Sequence, residues 1–201
     1  MMHEMPDTRT GGNEARRQWA LVVIGAWLMG SVCTSIVATQ NFYTIDRLLA
    51  GSPNGPFTSA VSQLGQPLAR DLLRYLSSEL NRLYFQIWNA AQLVFGALVL
   101  WLAARGGSGN PLYAGRAVRA VAAMLAIVVA MALWLTPAIV SLGRSLDFVP
   151  REPAPPGMQR FWVLHAAYTS LEMFKLAIGG VAAWWIVKSS SRGAHVRSAR
   201  L

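Results

Sequence analysis

Glu172 and Lys175 stand three residues apart inside an apolar run that extends from Phe161 to Val187. A charge at the centre of a membrane-crossing helix costs on the order of 2.5–3.5 kcal/mol on insertion scales, so such residues face a partner or a wet cavity. At 100° per residue, His165, Tyr168, Thr169, Glu172, Lys175 and Gly179 share about a third of the helix circumference. Val163, Ala167, Phe174, Ile178, Val181 and Trp185 cover the other side, which suits lipid. Further back, Gln86, Asn89 and Gln92 recur at i, i+3 and i+6, between Arg82 and Gly96. Amide side chains in such runs hydrogen-bond across helices, so the economical expectation is that they face His165 and Glu172. Two readings of this polar site stay open. In one, Glu172 and Lys175 form an i,i+3 ion pair that docks the helix and fixes its register. In the other, the eight polar residues of these two faces, Gly179 left aside, line a polar path for a proton, an ion or a small polar solute, with His165 near its mouth. A buried ion pair is an expensive way to achieve packing, which keeps the second reading alive.

Other chemistry finds less support. His165, Cys33 and Met29 are the candidates for a metal ion, with Met124, Met131 and Met173 as further soft ligands, but no compact motif unites them. Only His165 of the three histidines lies in a long apolar run, so paired axial ligands for a haem would need a second chain. No phosphate loop, HExxH, GxSxG or carboxylate pair is present, so no catalytic residue is assigned, no enzyme activity is expected and no cofactor is predicted.

The elements that must position these residues follow from composition. Of 201 residues, 54% are apolar and 13% charged, about half the charged fraction of a soluble domain. A net charge of +9 would suggest nucleic acid in a soluble protein. Here the basic residues are scattered among apolar runs, so a lipid bilayer is the expected partner and nucleic acid is not. A hydrocarbon core about 30 Å thick needs roughly 20 apolar residues of helix. Four windows qualify, at residues 19–39, 83–104, 118–142 and 161–187, with Trp19, Trp101, Trp162, Trp184 and Trp185 near their ends, where amphipathic rings favour the headgroup region. Arg16 and Arg17 precede the first window, which is longer than a signal-peptide core and lacks a clear cleavage site, so it is expected to stay as an anchor.

An even number of spans places both termini on one side, with the second connection. That side holds ten basic residues (Arg9, Arg16, Arg17, Arg105, Arg116, Arg119, Lys188, Arg192, Arg197, Arg200), and the other holds seven (Arg47, Arg70, Arg74, Arg82, Arg144, Arg151, Arg160). The bias puts both termini in the cytoplasm of a bacterial-type inner membrane. Residues 1–18 and 188–201 read as a mobile N-terminal segment and a basic tail flanking a domain over 19–187. Cys33 alone allows no internal disulfide.

In the longest connection, Asn41 to Leu49 extends the first helix, and Gly51-Ser52-Pro53-Asn54-Gly55-Pro56 breaks it. Pro67 then opens a helix that carries Leu68, Leu72, Leu73, Leu76, Leu80 and Leu83 straight into the second span, protruding on the non-cytoplasmic side; a short interfacial helix lying on the membrane surface is the alternative. Ala122, Ala126 and Ala130, and the pairs Gly30/Thr34 and Ser31/Ser35, read as close-approach surfaces. Pro137 is expected to kink the third span.

With Gly25-Ala26-Trp27 and Met29 in the first span, Tyr84-Phe85 opening the second, and Phe161 with His165 opening the fourth, the chain resembles the transmembrane protein 205 family over roughly residues 19–187. The resemblance implies a membrane location and four helices, and no established reaction. Glu172 and Lys175 have no counterpart in that pattern. The expectation is an all-α, integral membrane four-helix bundle with a buried polar site, handling a small ion or polar solute. An interaction or assembly subunit, as a homo-oligomer or with a membrane partner protein, is the alternative, and a haem- or copper-binding protein the third.

Overall fold

The computed structural model describes residues 8–106 and 110–198, with side-chain environments over 11–106 and 110–189. Everything regular in it is helical. Helix α1 runs Thr8–Gly51, α2 Gly55–Leu64 and α3 Gln66–Arg105; α4 runs Pro111–Ala130, α5 Thr136–Ser145 and α6 Met158–Ser198. Among the described residues there is no β-strand. Four helical runs are long and apolar enough to cross a membrane: Gly11–Gly51, Gln66–Arg105, Pro111–Ser145 and Met158–Ser189. That is compatible with a multi-pass membrane protein.

The breaks have local causes. Helix α2, which periodicity alone does not reveal, is started by Asn54, whose side chain accepts the Phe57 N–H at 2.9 Å, with Pro56 in the first turn. It stops at Gly65, where φ is +81°, a conformation glycine adopts without a Cβ penalty. Between α4 and α5 the helix widens into a π turn over Met131–Leu135. Pro137 lacks an N–H and its ring crowds the carbonyl four residues back, and a π turn absorbs that conflict without ending the helix.

Contacts divide the described chain into two compact units. The first draws on residues within 1–30, 90–130 and 170–201. One residue from each of α1, α3, α4 and α6 builds its core cluster: Ala20, Leu102, Ala117 and Ile186. On α4 the inward face is Ala117, Ala120, Val121, Met124 and Val128, while Ala122 and Ala126 are exposed. The alanine stripe is therefore not the packing surface; small side chains alone do not say which face of an apolar helix turns inward. Close approach occurs at two glycines instead. A Cβ at Gly96 would lie 2.6 Å from Leu125 and 3.0 Å from Trp27, and one at Gly179 would overlap Leu28.

The second unit comprises residues 31–89 and 131–169. Ile45 and Leu49 of α1 pack on Ala69 of α3, flanked by Phe57 and Val61 of α2 and by Leu73. Polar links reinforce it. Asn81 donates to the Ala38 carbonyl at 2.9 Å and accepts from Asn41 at 2.6 Å. Arg82 binds Asp147 at 2.9 Å and also Glu79.

Candidate functional site

In the first unit, Lys175 is fully enclosed and Glu172 is 6% exposed. Lys175 Nζ donates to Glu172 Oε1 at 2.6 Å and to Gln92 Oε1. Trp27 Nε1 donates to the same Gln92 oxygen at 3.1 Å, and the Lys175 ammonium lies 5.8 Å from the centroid of the Trp27 ring, within cation–π range. Helices α1, α3 and α6 thus each contribute to one polar cluster, in a segment where Gly96 and Gly179 let backbones and bulky side chains come close.

The chemistry of the donors fixes the Gln92 amide. An indole N–H and an ammonium can only donate, so the amide oxygen must face them and its NH2 must face away. Gln92 Nε2 and Glu172 Oε2 are both buried without a hydrogen-bond partner. Two donor hydrogens and a carboxyl oxygen's lone pairs are left unused beside a buried ammonium. Unsatisfied buried polar groups cost about 1–3 kcal/mol each, which makes this cluster polar beyond what helix docking needs. Its unused groups include both donor and acceptor capacity.

The eight residues expected to form one site are not all buried. Asn89, Gln92, Tyr168, Glu172 and Lys175 are buried, while Gln86, His165 and Thr169 are exposed. On α6 the buried residues Tyr168, Glu172, Lys175, Gly179, Ala182, Ile186 and Ser189 occupy an arc of about 100° at 100° per residue, and His165 and Thr169 fall about 20° and 60° beyond its edge. Thr169 spends its hydroxyl on the His165 carbonyl at 3.0 Å. His165 stacks on Phe161 with centroids 5.8 Å apart. In the second unit Asn89 donates to Thr136 Oγ1 at 3.1 Å with its own Oδ1 unpartnered, and Tyr168 meets Phe85 edge-on at 5.3 Å.

Trp27 was not among the expected site residues. A tryptophan in an apolar run reads as a packing residue, and only its neighbour Gln92 reveals its donor. The Arg82–Asp147 pair likewise carries no local signal, since 65 residues separate its members. Met29, Cys33 and His165 are each exposed, and among the described residues no three His, Cys, Asp or Glu side chains gather as metal ligands do. Of the basic tail, Arg200 lies outside the described residues, and Arg192 and Arg197 lie where side chains are not described. No protein-family model, curated protein or solved structure matches the chain.

Proposed function

We propose that the chain is a multi-pass protein of a bacterial-type inner membrane, with both termini cytoplasmic, whose buried Glu172–Lys175–Gln92 cluster takes up a proton, a small ion or a small polar solute. It acts without a catalytic step. The observation that supports this most is the pair of unused polar atoms, Gln92 Nε2 and Glu172 Oε2, beside an enclosed ammonium. A lock built only for register gains nothing from either idle atom, because an unsatisfied buried polar group weakens the packing it is there to secure. Membership in a transmembrane protein 205-like family is part of the same proposal, and Trp27 of the motif that suggests it lies in the cluster.

Reconstituted vesicles test the reading. With an internal pH dye, and then with sodium, potassium, chloride and glycerol gradients, wild-type protein should carry at least one of these. The Glu172→Gln/Lys175→Met double variant should fold and carry none. Equal flux through the double variant, or no flux of any probe through the wild type, overturns it.

A second reading, an assembly subunit, is favoured by a different surface. Exposed apolar residues on α3 run from Leu68 to Trp101, about 50 Å at 1.5 Å per residue, against about 33 Å from Trp162 to Trp184 on α6. A bilayer core is about 30 Å, so the start of α3 stands clear of it on the non-cytoplasmic side in this reading. There Leu68, Leu72, Tyr75 and Leu76 are exposed, and the Tyr75 ring lies tilted against Phe148 with centroids 5.2 Å apart. Phe148 holds φ +58°, which a bulky residue rarely adopts. If this surface is the functional one, Leu72→Glu/Leu76→Glu abolishes assembly while leaving flux untouched.

A further inference from the structure

On α4 and α6, within the first unit, a surface groove of about 360 Å³ is lined by Arg116, Arg119, Ala120, Ile178, Val181 and Trp185. Its geometry follows from helical spacing. Arg116 and Arg119 at i, i+3 project from one face of α4, Ala120 supplies a floor with almost no side chain, and Ile178, Val181 and Trp185 at i, i+3, i+7 form an apolar wall on α6. Arg119 is steadied by its Nε, which donates to the Gly115 carbonyl at 3.3 Å. That bond leaves its two terminal nitrogens for something else.

The charge of the groove is uncompensated. Arg17, Arg70, Arg82 and Arg144 each have a carboxylate partner. Among the described residues Arg116 and Arg119, like Arg16, Arg47, Arg74 and Arg105, have none, and here no acidic residue lines the groove either. Two guanidiniums without carboxylate partners therefore border an apolar trough. Trp184, which is exposed, and Trp185 stand at the same level of α6, where indoles mark the headgroup region. A free anion would use the arginines and ignore the trough, and an uncharged acyl chain would use the trough and ignore the arginines. A molecule with a phosphate joined to hydrocarbon uses both.

We infer that this groove binds an anionic phospholipid of the cytoplasmic leaflet, its phosphate held by Arg116 and Arg119 and an acyl chain lying along Ile178 and Val181. Basic pockets between spans on that side are suited to such headgroups, and guanidinium donors match phosphate oxygens in geometry. The inference rests on the membrane reading above but not on solute uptake, because the groove shares no residue with the Glu172–Lys175–Gln92 cluster.

The test uses full-length protein purified in a neutral detergent, with thermal midpoint and native mass spectrometry as readouts during titration with phosphatidylglycerol, phosphatidylcholine or inorganic phosphate. Phosphatidylglycerol alone should raise the midpoint and remain bound. Arg116→Gln/Arg119→Gln should weaken its apparent affinity roughly tenfold or more, at about 1 kcal/mol per basic residue. Arg192→Gln/Arg197→Gln in the tail should leave it unchanged. If the first double variant does not fold, Val181→Trp fills the exposed wall with both arginines intact and should weaken retention as well. Equal effects of the two lipids, a full response to inorganic phosphate, undiminished retention after Arg116→Gln/Arg119→Gln or Val181→Trp, or an equal loss in the tail variant each overturn the inference. Release of the protein from membranes by alkaline carbonate would overturn the membrane reading itself; a retained protein without lipid preference overturns only this site.

Discussion

The consequences of the cluster are sharpest residue by residue. Removing one partner of a buried ion pair leaves an uncompensated charge and costs about 3–5 kcal/mol, whereas replacing both with groups of similar volume is often neutral. Thermal unfolding in detergent should therefore rank Glu172→Gln and Lys175→Met each well below the Glu172→Gln/Lys175→Met double variant. Additive losses would mean that the pair does not act as a unit. Gln92→Leu removes the acceptor shared by Lys175 and Trp27 and should cost roughly 1–3 kcal/mol, with a changed Trp27 fluorescence environment. The pair was legible in the sequence because two charges in an apolar run are conspicuous. The breadth of the face was not: an arc of a third of the circumference admits His165 and Thr169, and only packing shows that the buried arc ends before them.

At the scale of an element, the glycines set how closely α1, α3 and α6 approach. Gly96→Ala places a methyl 2.6 Å from Leu125 and 3.0 Å from Trp27. Overpacking of this kind costs typically 1–3 kcal/mol, and the shift of Trp27 should weaken the cluster as well. Gly25→Ala meets nothing within 4 Å and should be neutral or slightly stabilising, since glycine inside a helix is unfavourable by roughly 0.5–1 kcal/mol relative to alanine. Thermal midpoints of the two variants that moved together would contradict this assignment of the close contact. The helix boundaries at Gly51 and Gly65 were readable from turn and breaker residues, because glycine and proline act through their own backbone; Pro137 marked an irregularity, which takes the form of a π turn just before it. Helix α2 was not, since ten residues with no buried member give periodicity little to work on. The inward face of α4 was misread for a related reason. Alanine is equally at home against lipid and against a neighbouring helix.

For the whole molecule, the four apolar runs were plain from composition and length, while their sidedness rests on a bias of ten basic residues against seven. Reporter fusions at residue 108 and at the C-terminus should both report the cytoplasm, and a fusion near residue 53 should report the opposite side. Any other pattern would reverse the proposed topology. Uptake of a small polar guest further requires that water reach the cluster from one face of the bilayer. The chain has only two lysines, Lys175 and Lys188, and Lys188 is exposed. Nitrogen-15 labelling of lysine therefore yields two ammonium signals, which Lys188→Gln assigns. With the protein in lipid bilayers, magnetisation transfer from water to Lys175 Nζ is expected on the same timescale as transfer to Lys188. A Lys175 signal that stays dark to water while Lys188 responds would show a dry cluster, and the uptake reading would be wrong.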